Sequence, residues 1–160
     1  IQGKGTKFIL HISFEISAEE QEKKSHMYQN CSVEGVQILL VEDNELNMEI
    51  AEFTLENAGA HVIKAWNGKE AVDIFLNSKT DEFDIILMDI MMPVMNGIDA
   101  TKAIRAGGHP QSKAIPIFAM TANAFSDDIE RSLAVGINEH LSKPLDGKKL
   151  VEAISRYIYG

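Results

Sequence analysis

Two adjacent acids, Glu42 and Asp43, a third acid, Asp89, a hydroxyl, Thr121, and an ammonium, Lys143, each stand at the end of a segment that reads as a β-strand. Three carboxylates brought within several ångströms repel, and a hard divalent cation removes that cost. Oxygen ligands from few side chains, leaving room for water, suit Mg²⁺ (or Mn²⁺) better than a full protein cage does. The backbone carbonyl of Met91, just past Asp89, is expected to add a further ligand. Such a cation also neutralises phosphoryl oxygens, and phosphoryl transfer needs mainly positioning and charge compensation. Lys143 would take a second phosphoryl oxygen, and the Thr121 hydroxyl with nearby backbone N–H a third. Asp89, at a strand tip and expected to be reachable from solvent, is then the nucleophile. Each residue alone has an ordinary explanation: a strand-end acid as a turn or helix cap, Lys143 as a solvated charge, Thr121 as a strand residue. Their agreement in position carries the reading.

The elements that must position them follow a strict rhythm from residue 36. VQILLV (36–41) is a continuous apolar run, as expected of a strand buried on both faces. A helix follows near 45–58, its sheet-facing side read as Asn47, Ile50, Ala51, Thr54, Leu55 and Ala58, with Gly59 as its C-cap. Strands are expected at 60–66, 83–89, 115–122 and 139–143, and helices at 68–78, 97–107, 127–136 and 147–158. Five β-α units in a row imply a parallel sheet covered by helices on both faces. The flavodoxin-like order 2-1-3-4-5 is the expected α/β arrangement, a doubly wound (βα)5 sheet. It places ligands outside the carboxyl ends of the strands.

The bulk properties narrow the class. At 160 residues the chain is sized for about one domain, with 45% hydrophobic and 24% charged residues. No apolar run approaches the roughly 20 residues of a membrane span, and the N-terminus lacks a signal-peptide layout. One cysteine, Cys31, excludes an internal disulfide, in keeping with a reducing cytoplasmic compartment. A net charge of −9 argues against nucleic acid and favours divalent cations and basic protein surfaces.

These residues resemble the response-regulator receiver family. LLVEDN (39–44) looks like its first acidic motif, DIILMDIMMPVMNG (84–97) its phosphoacceptor strand and loop, AMTA (119–122) its hydroxyl motif and LSKP (141–144) its lysine–proline motif. The similarity covers about residues 36–158, with the motifs in order. It implies phosphorylation of Asp89 by a phosphohistidine donor, Glu42 and Asp43 as the acid pair for the cation, Thr121 as a switch hydroxyl, Lys143 as the phosphate-pairing lysine and a cis Lys143–Pro144 bond. The family's aromatic switch position holds His140. Its ring either rotates as a pH-sensitive switch or is simply an exposed strand residue. Met91 and Asn123, two beyond the phosphoacceptor and two beyond the hydroxyl, are expected to tune hydrolysis through water access.

Asp43-Asn44-Glu45-Leu46-Asn47 resembles the D-N-x-x-N common in receivers fused behind a histidine kinase. Gly3-Lys4-Gly5-Thr6 followed by an apolar strand resembles the last glycine box of the kinase ATP-binding domain. Residues 1–16 are therefore expected to be a remnant of that domain, 17–35 a linker and 36–160 the receiver. A lone strand makes no sheet, so 7–16 either joins the next domain's edge or has lost its partners. The chain does not begin with Met and is expected to be a piece of a longer histidine protein kinase, itself possessing no ATP site. Leu46 and Phe53, seven apart on the first helix beside an acidic face of Glu45, Glu49, Glu52 and Glu56, are expected to dock a histidine phosphotransfer helix bundle. The alternatives are a solvated face there, and for the whole domain a non-phosphorylated receiver-like scaffold. An aspartyl-phosphate phosphatase is disfavoured because Asp89-Ile90-Met91 lacks a second acid, and a nucleotide or flavin carrier because no glycine-rich loop follows the first strand.

Overall fold

The computed structural model describes residues 32–122 and 134–160. The expected strand at 7–16, the linker up to residue 31, Asn123 and most of the expected helix at 127–136 lie outside the described residues.

The described elements are β1 (Gln37–Val41), α1 (Glu45–Asn57), β2 (His61–Ala65), α2 (Gly68–Asn77), β3 (Ile85–Asp89), α3 (Gly97–Ala106), β4 (Ile117–Thr121), β5 (Glu139–Ser142) and α4 (Gly147–Tyr159). The five strands form one sheet in the order 2-1-3-4-5, with every pairing parallel. Side chains on a strand alternate between faces, and the two cores follow that alternation. Ile38, Leu40, Ile85, Leu87, Phe118 and Met120 pack with Met48, Leu55, Leu150 and Ile154 of α1 and α4. Leu39, Val41, Ile86, Met88, Ile117 and Ala119 pack on the other face with Phe75, Ala100 and Ile104 of α2 and α3. Each fully buried aliphatic side chain contributes about 1.5–3 kcal/mol relative to exposure, so the apolar runs at the centre of the sheet hold the strand tips in register.

Helix starts are set by asparagine and aspartate caps. Asn44, Asn67 and Asn96 each accept the N–H three residues on, and Asp146 accepts from Lys148 and Lys149. Gly97 is needed for packing: a Cβ there would overlap the backbone carbonyl of Asp89 and the Met88 side chain. The loop after β3 therefore folds straight back onto its own strand, closed by Gly97 N–H to the Ile90 carbonyl at 3.0 Å.

Two expectations need correction. The sheet-facing side of α1 is Met48, Ala51 and Leu55, whereas Asn47 is exposed and Ile50 is 51% exposed. The actual stripe is turned so that position 48 replaces 47 and 50; a wheel drawn from sequence fixes the spacing of a stripe but not its angle. β2 is the edge strand that the expected order implies, with His61, Ile63 and Lys64 exposed and only Ala65 fully buried. Finally, the packed domain begins before residue 36. Val33 is completely buried, its N–H bonded to the Ala58 carbonyl at 3.2 Å, and Gly35 bonds Gly59 at 2.8 Å.

Candidate functional site

The carboxyl ends of β1, β3, β4 and β5 share one edge because all the strands are parallel. Register then fixes the neighbours. Val41 pairs with Met88, so Glu42 and Asp89 lie one step past the same rung. Thr121 pairs with Ser142, and its carbonyl accepts the Lys143 N–H at 2.8 Å. The Lys143–Pro144 peptide is cis, as expected.

Oxygens of Glu42, Asp43 and Asp89 all fall within 4.8 Å of one another. Glu42 and Asp89 are 1% and 4% exposed, whereas Asp43 is open to solvent. The expectation that Asp89 is freely reachable is thus corrected: its carboxylate is buried and paired with Lys143. The Lys143 ammonium lies 2.5 Å from Glu42 Oε2 and 2.6 Å from Asp89 Oδ2. Burial pulls the Lys143 pKa down, but the hydrogen bonds and charges of Asp89 and Glu42 outweigh it, and the net direction is up. The other Asp89 oxygen, Oδ1, accepts the Met91 N–H at 3.0 Å, and Glu42 Oε1 accepts from the Asn47 side-chain amide at 3.0 Å. Both oxygens of each buried acid are therefore matched to a donor, as burial demands.

Thr121 is 7% exposed at the tip of β4. The Met91 side chain is 76% exposed, and Val94, at φ 68°, is 84% exposed on the same loop. Leu46 and Phe53 are 64% and 70% exposed, and Ile50 lies between them on the same helical stripe. Glu52, expected on the open acidic face, instead pairs with Lys64 of β2 at 2.8 Å. His140 is half-buried in β5 opposite Ala119, and burial moves its pKa down, opposed by Glu139. Asn47 was read as a helix-face residue, and its role beside Glu42 was missed. The five-residue step from Glu42, across a capped first helical turn, is the signal that would have found it.

The donor set suits a small hard cation: carboxylate oxygens gathered at a strand edge, one of them solvent-open. The model of the response regulator receiver domain matches residues 38–155. The chain belongs to this family. As a receiver domain it has relatives among histidine kinases. It is 35% identical over 156 residues to the aerobic respiration control sensor protein ArcB of Escherichia coli, covering 98% of this chain and 19% of that one. It is 34% identical over 174 residues to Histidine kinase 1 of Arabidopsis thaliana, covering 85% of this chain and 14% of that one. The receiver thus spans under a fifth of the length of either relative. A solved receiver domain, that of sensor histidine kinase PA1611 from Pseudomonas aeruginosa, superposes with TM-score 0.70 at 37% identity. The match covers 79% of this chain and 99% of that one, and that structure carries a magnesium ion coordinated in its active-site cleft. Among the described residues of the present receiver, no helix is long and apolar enough to cross a membrane.

Proposed function

We propose that this receiver accepts a phosphoryl group on Asp89 from a phosphohistidine and exchanges it with a histidine phosphotransfer partner. The observation that carries the reading is the convergence of three carboxylate oxygens within 4.8 Å beside the Lys143 ammonium. In the step itself an Asp89 carboxylate oxygen forms the new P–O bond, the P–N bond to the donor imidazole breaks, and the imidazole leaves with its electron pair. Asp89 has both oxygens hydrogen-bonded at rest. The Lys143 ammonium, 2.6 Å from Oδ2, is well placed to follow the negative charge onto a phosphoryl oxygen. Thr121, at the neighbouring strand tip, would donate its hydroxyl to a second phosphoryl oxygen.

Glu42, Asp43, Asp89 and the Met91 carbonyl are the groups proposed to hold Mg²⁺, or Mn²⁺ in its place. When bound, the cation supplies charge neutralisation for the phosphoryl oxygens. Met91 and Asn123 are assigned the control of water access, and His140 with Thr121 the conformational response.

The parent is proposed to be a hybrid histidine kinase acting in the cytoplasm. Residues 1–16 would be the end of its ATP-binding domain and 17–35 the connection to the receiver. Support comes from the ArcB match, which at 98% of this chain extends across nearly all of the segment preceding the receiver. The exposed stripe of Leu46, Ile50 and Phe53 on α1 is proposed as the seat of the phosphotransfer partner.

The test is beryllofluoride or acetyl phosphate, added with and without Mg²⁺. Wild type should respond only with Mg²⁺, and Asp89→Asn should not respond at all. A wild-type domain inert under both conditions would instead favour a receiver-like interaction scaffold.

A further inference from the structure

Glu42 is 1% exposed and has one donor on each carboxylate oxygen: Lys143 at 2.5 Å on Oε2, and the Asn47 amide at 3.0 Å on Oε1. The two donors differ in what they are free to do. Lys143 is shared with Asp89 and, on the proposed reaction, would follow the charge onto a phosphoryl oxygen. Asn47 is fixed by its helix, because its own backbone N–H is held by the Asn44 cap at 3.0 Å. Once the ammonium moves, the Asn47 amide is the hydrogen bond that Glu42 keeps from this resting set.

We propose that Asn47 is a positioning residue of the phosphoryl-transfer site, holding the Glu42 carboxylate in its cation-facing orientation while Lys143 is displaced. This rests on the reading of Glu42, Asp43 and Asp89 as the cation site. A buried carboxylate that loses one of two donors loses both solvation and a fixed rotamer. Partners that orient metal-binding carboxylates typically contribute 10–100-fold to metal affinity. The placement also has a mechanical side. Asn47 shares a groove of about 400 Å³ with Ile50 on one wall and Lys143, Pro144 and Leu145 on the other. One residue of α1 therefore touches the acid pocket from the same helix that carries the exposed apolar stripe.

Mg²⁺ affinity, measured by calorimetry and by the electron paramagnetic resonance of Mn²⁺ as a substitute, tests this without any phosphorylation. Asn47→Ala keeps the helix, since alanine is a good helix former, but strips a donor from buried Glu42, so the domain should stay folded with a moderately lowered unfolding temperature. Asn47→Ser, too short to span to Glu42, serves as a second variant. Both should weaken Mg²⁺ binding about tenfold. In a Glu42→Gln background the same substitution should add nothing, because residues acting through one contact are non-additive. Wild-type affinity in Asn47→Ala, or a full additional loss in the Glu42→Gln background, would overturn the assignment. A wild-type domain that binds no Mg²⁺ would overturn the cation site itself, which is a distinguishable failure.

Discussion

At the carboxyl end of the sheet a cation, Lys143, is held by two buried carboxylates; at the amino end another, Arg105 of α3, is held by neutral oxygens. Arg105 donates to the Gly136 carbonyl at 3.1 and 2.6 Å, to the Ser112 carbonyl at 3.0 Å and to Asn138 Oδ1 at 3.1 Å. Asn138 Oδ1 also accepts the Ile117 N–H, and its amide donates to the Tyr157 hydroxyl, whose ring packs edge-on against Phe118. Nearby, Gln111 and Asp81 exchange two hydrogen bonds at 2.9 Å, and His109 Nδ1 accepts the Gln111 N–H. The amino end is a knit of backbone and amide bonds, although the buried Ser112 hydroxyl within it has no partner. The carboxyl end concentrates formal charge around one ammonium, that of Lys143. The first arrangement fixes loops; the second leaves a net negative charge that a divalent cation would offset.

Removing each cation in turn should break this contrast most visibly. Lys143→Met leaves two buried acids without their counter-charge, a change that costs about 3–5 kcal/mol. Urea unfolding should show that loss, and millimolar Mg²⁺ should restore much of it. The folded pKa of Lys143 is raised, so its contribution is fully present below the unfolded lysine value of about 10.4 and fades as pH rises through the folded value. Wild type should accordingly weaken in strong alkali more steeply than Lys143→Met.

Arg105→Ala is the counterpart. It removes four donated hydrogen bonds and should cost about 2–3 kcal/mol. Here Mg²⁺ should give no selective rescue, and the rate of Asp89 phosphorylation by acetyl phosphate should stay close to wild type. A large change in that rate would show that the two ends are coupled.

Surface substitutions sharpen the comparison further. Leu46→Ala with Phe53→Ala should slow transfer from a phosphotransfer protein about tenfold, while acetyl phosphate labelling and thermal stability remain unchanged. Equal transfer rates would remove α1 as the docking helix. The smallest effect concerns His140. Burial lowers its folded pKa below the unfolded value of about 6.5. Its neutral form therefore adds stability that is present above that pH and lost as pH falls through the folded value. His140→Phe should flatten the acid side of the stability profile, as read by thermal unfolding from pH 7 to 5.

Legibility from sequence followed the same division. ILLV and IILM announce central strands because two-sided burial leaves no polar position, and the acids at their ends are placed by chain continuity alone. β2 mixes His61 and Lys64 among its apolar residues in HVIKA, in keeping with the edge place that the expected strand order gives it. Met48 was missed for Ile50 because both satisfy a helical spacing and only the packed sheet selects the angle. The Gln111–Asp81 contact joins two loops and the Arg105–Gly136 contact joins a helix end to a loop, each across some 30 residues, so no local pattern announces them. The pairing of Lys143 with both acids depends on side-chain reach across three strand ends, which register alone leaves open.

Val33 bears on how the domain can be handled in practice. Its side chain is wholly enclosed, and its backbone is tied to the close of α1. Trimming at residue 36, where the motif resemblance starts, would excise that plug and leave an apolar hollow beneath the helix, at a cost of about 2 kcal/mol from the lost valine alone. Expression boundaries, fusion joints and reporter insertions are better set upstream of residue 32.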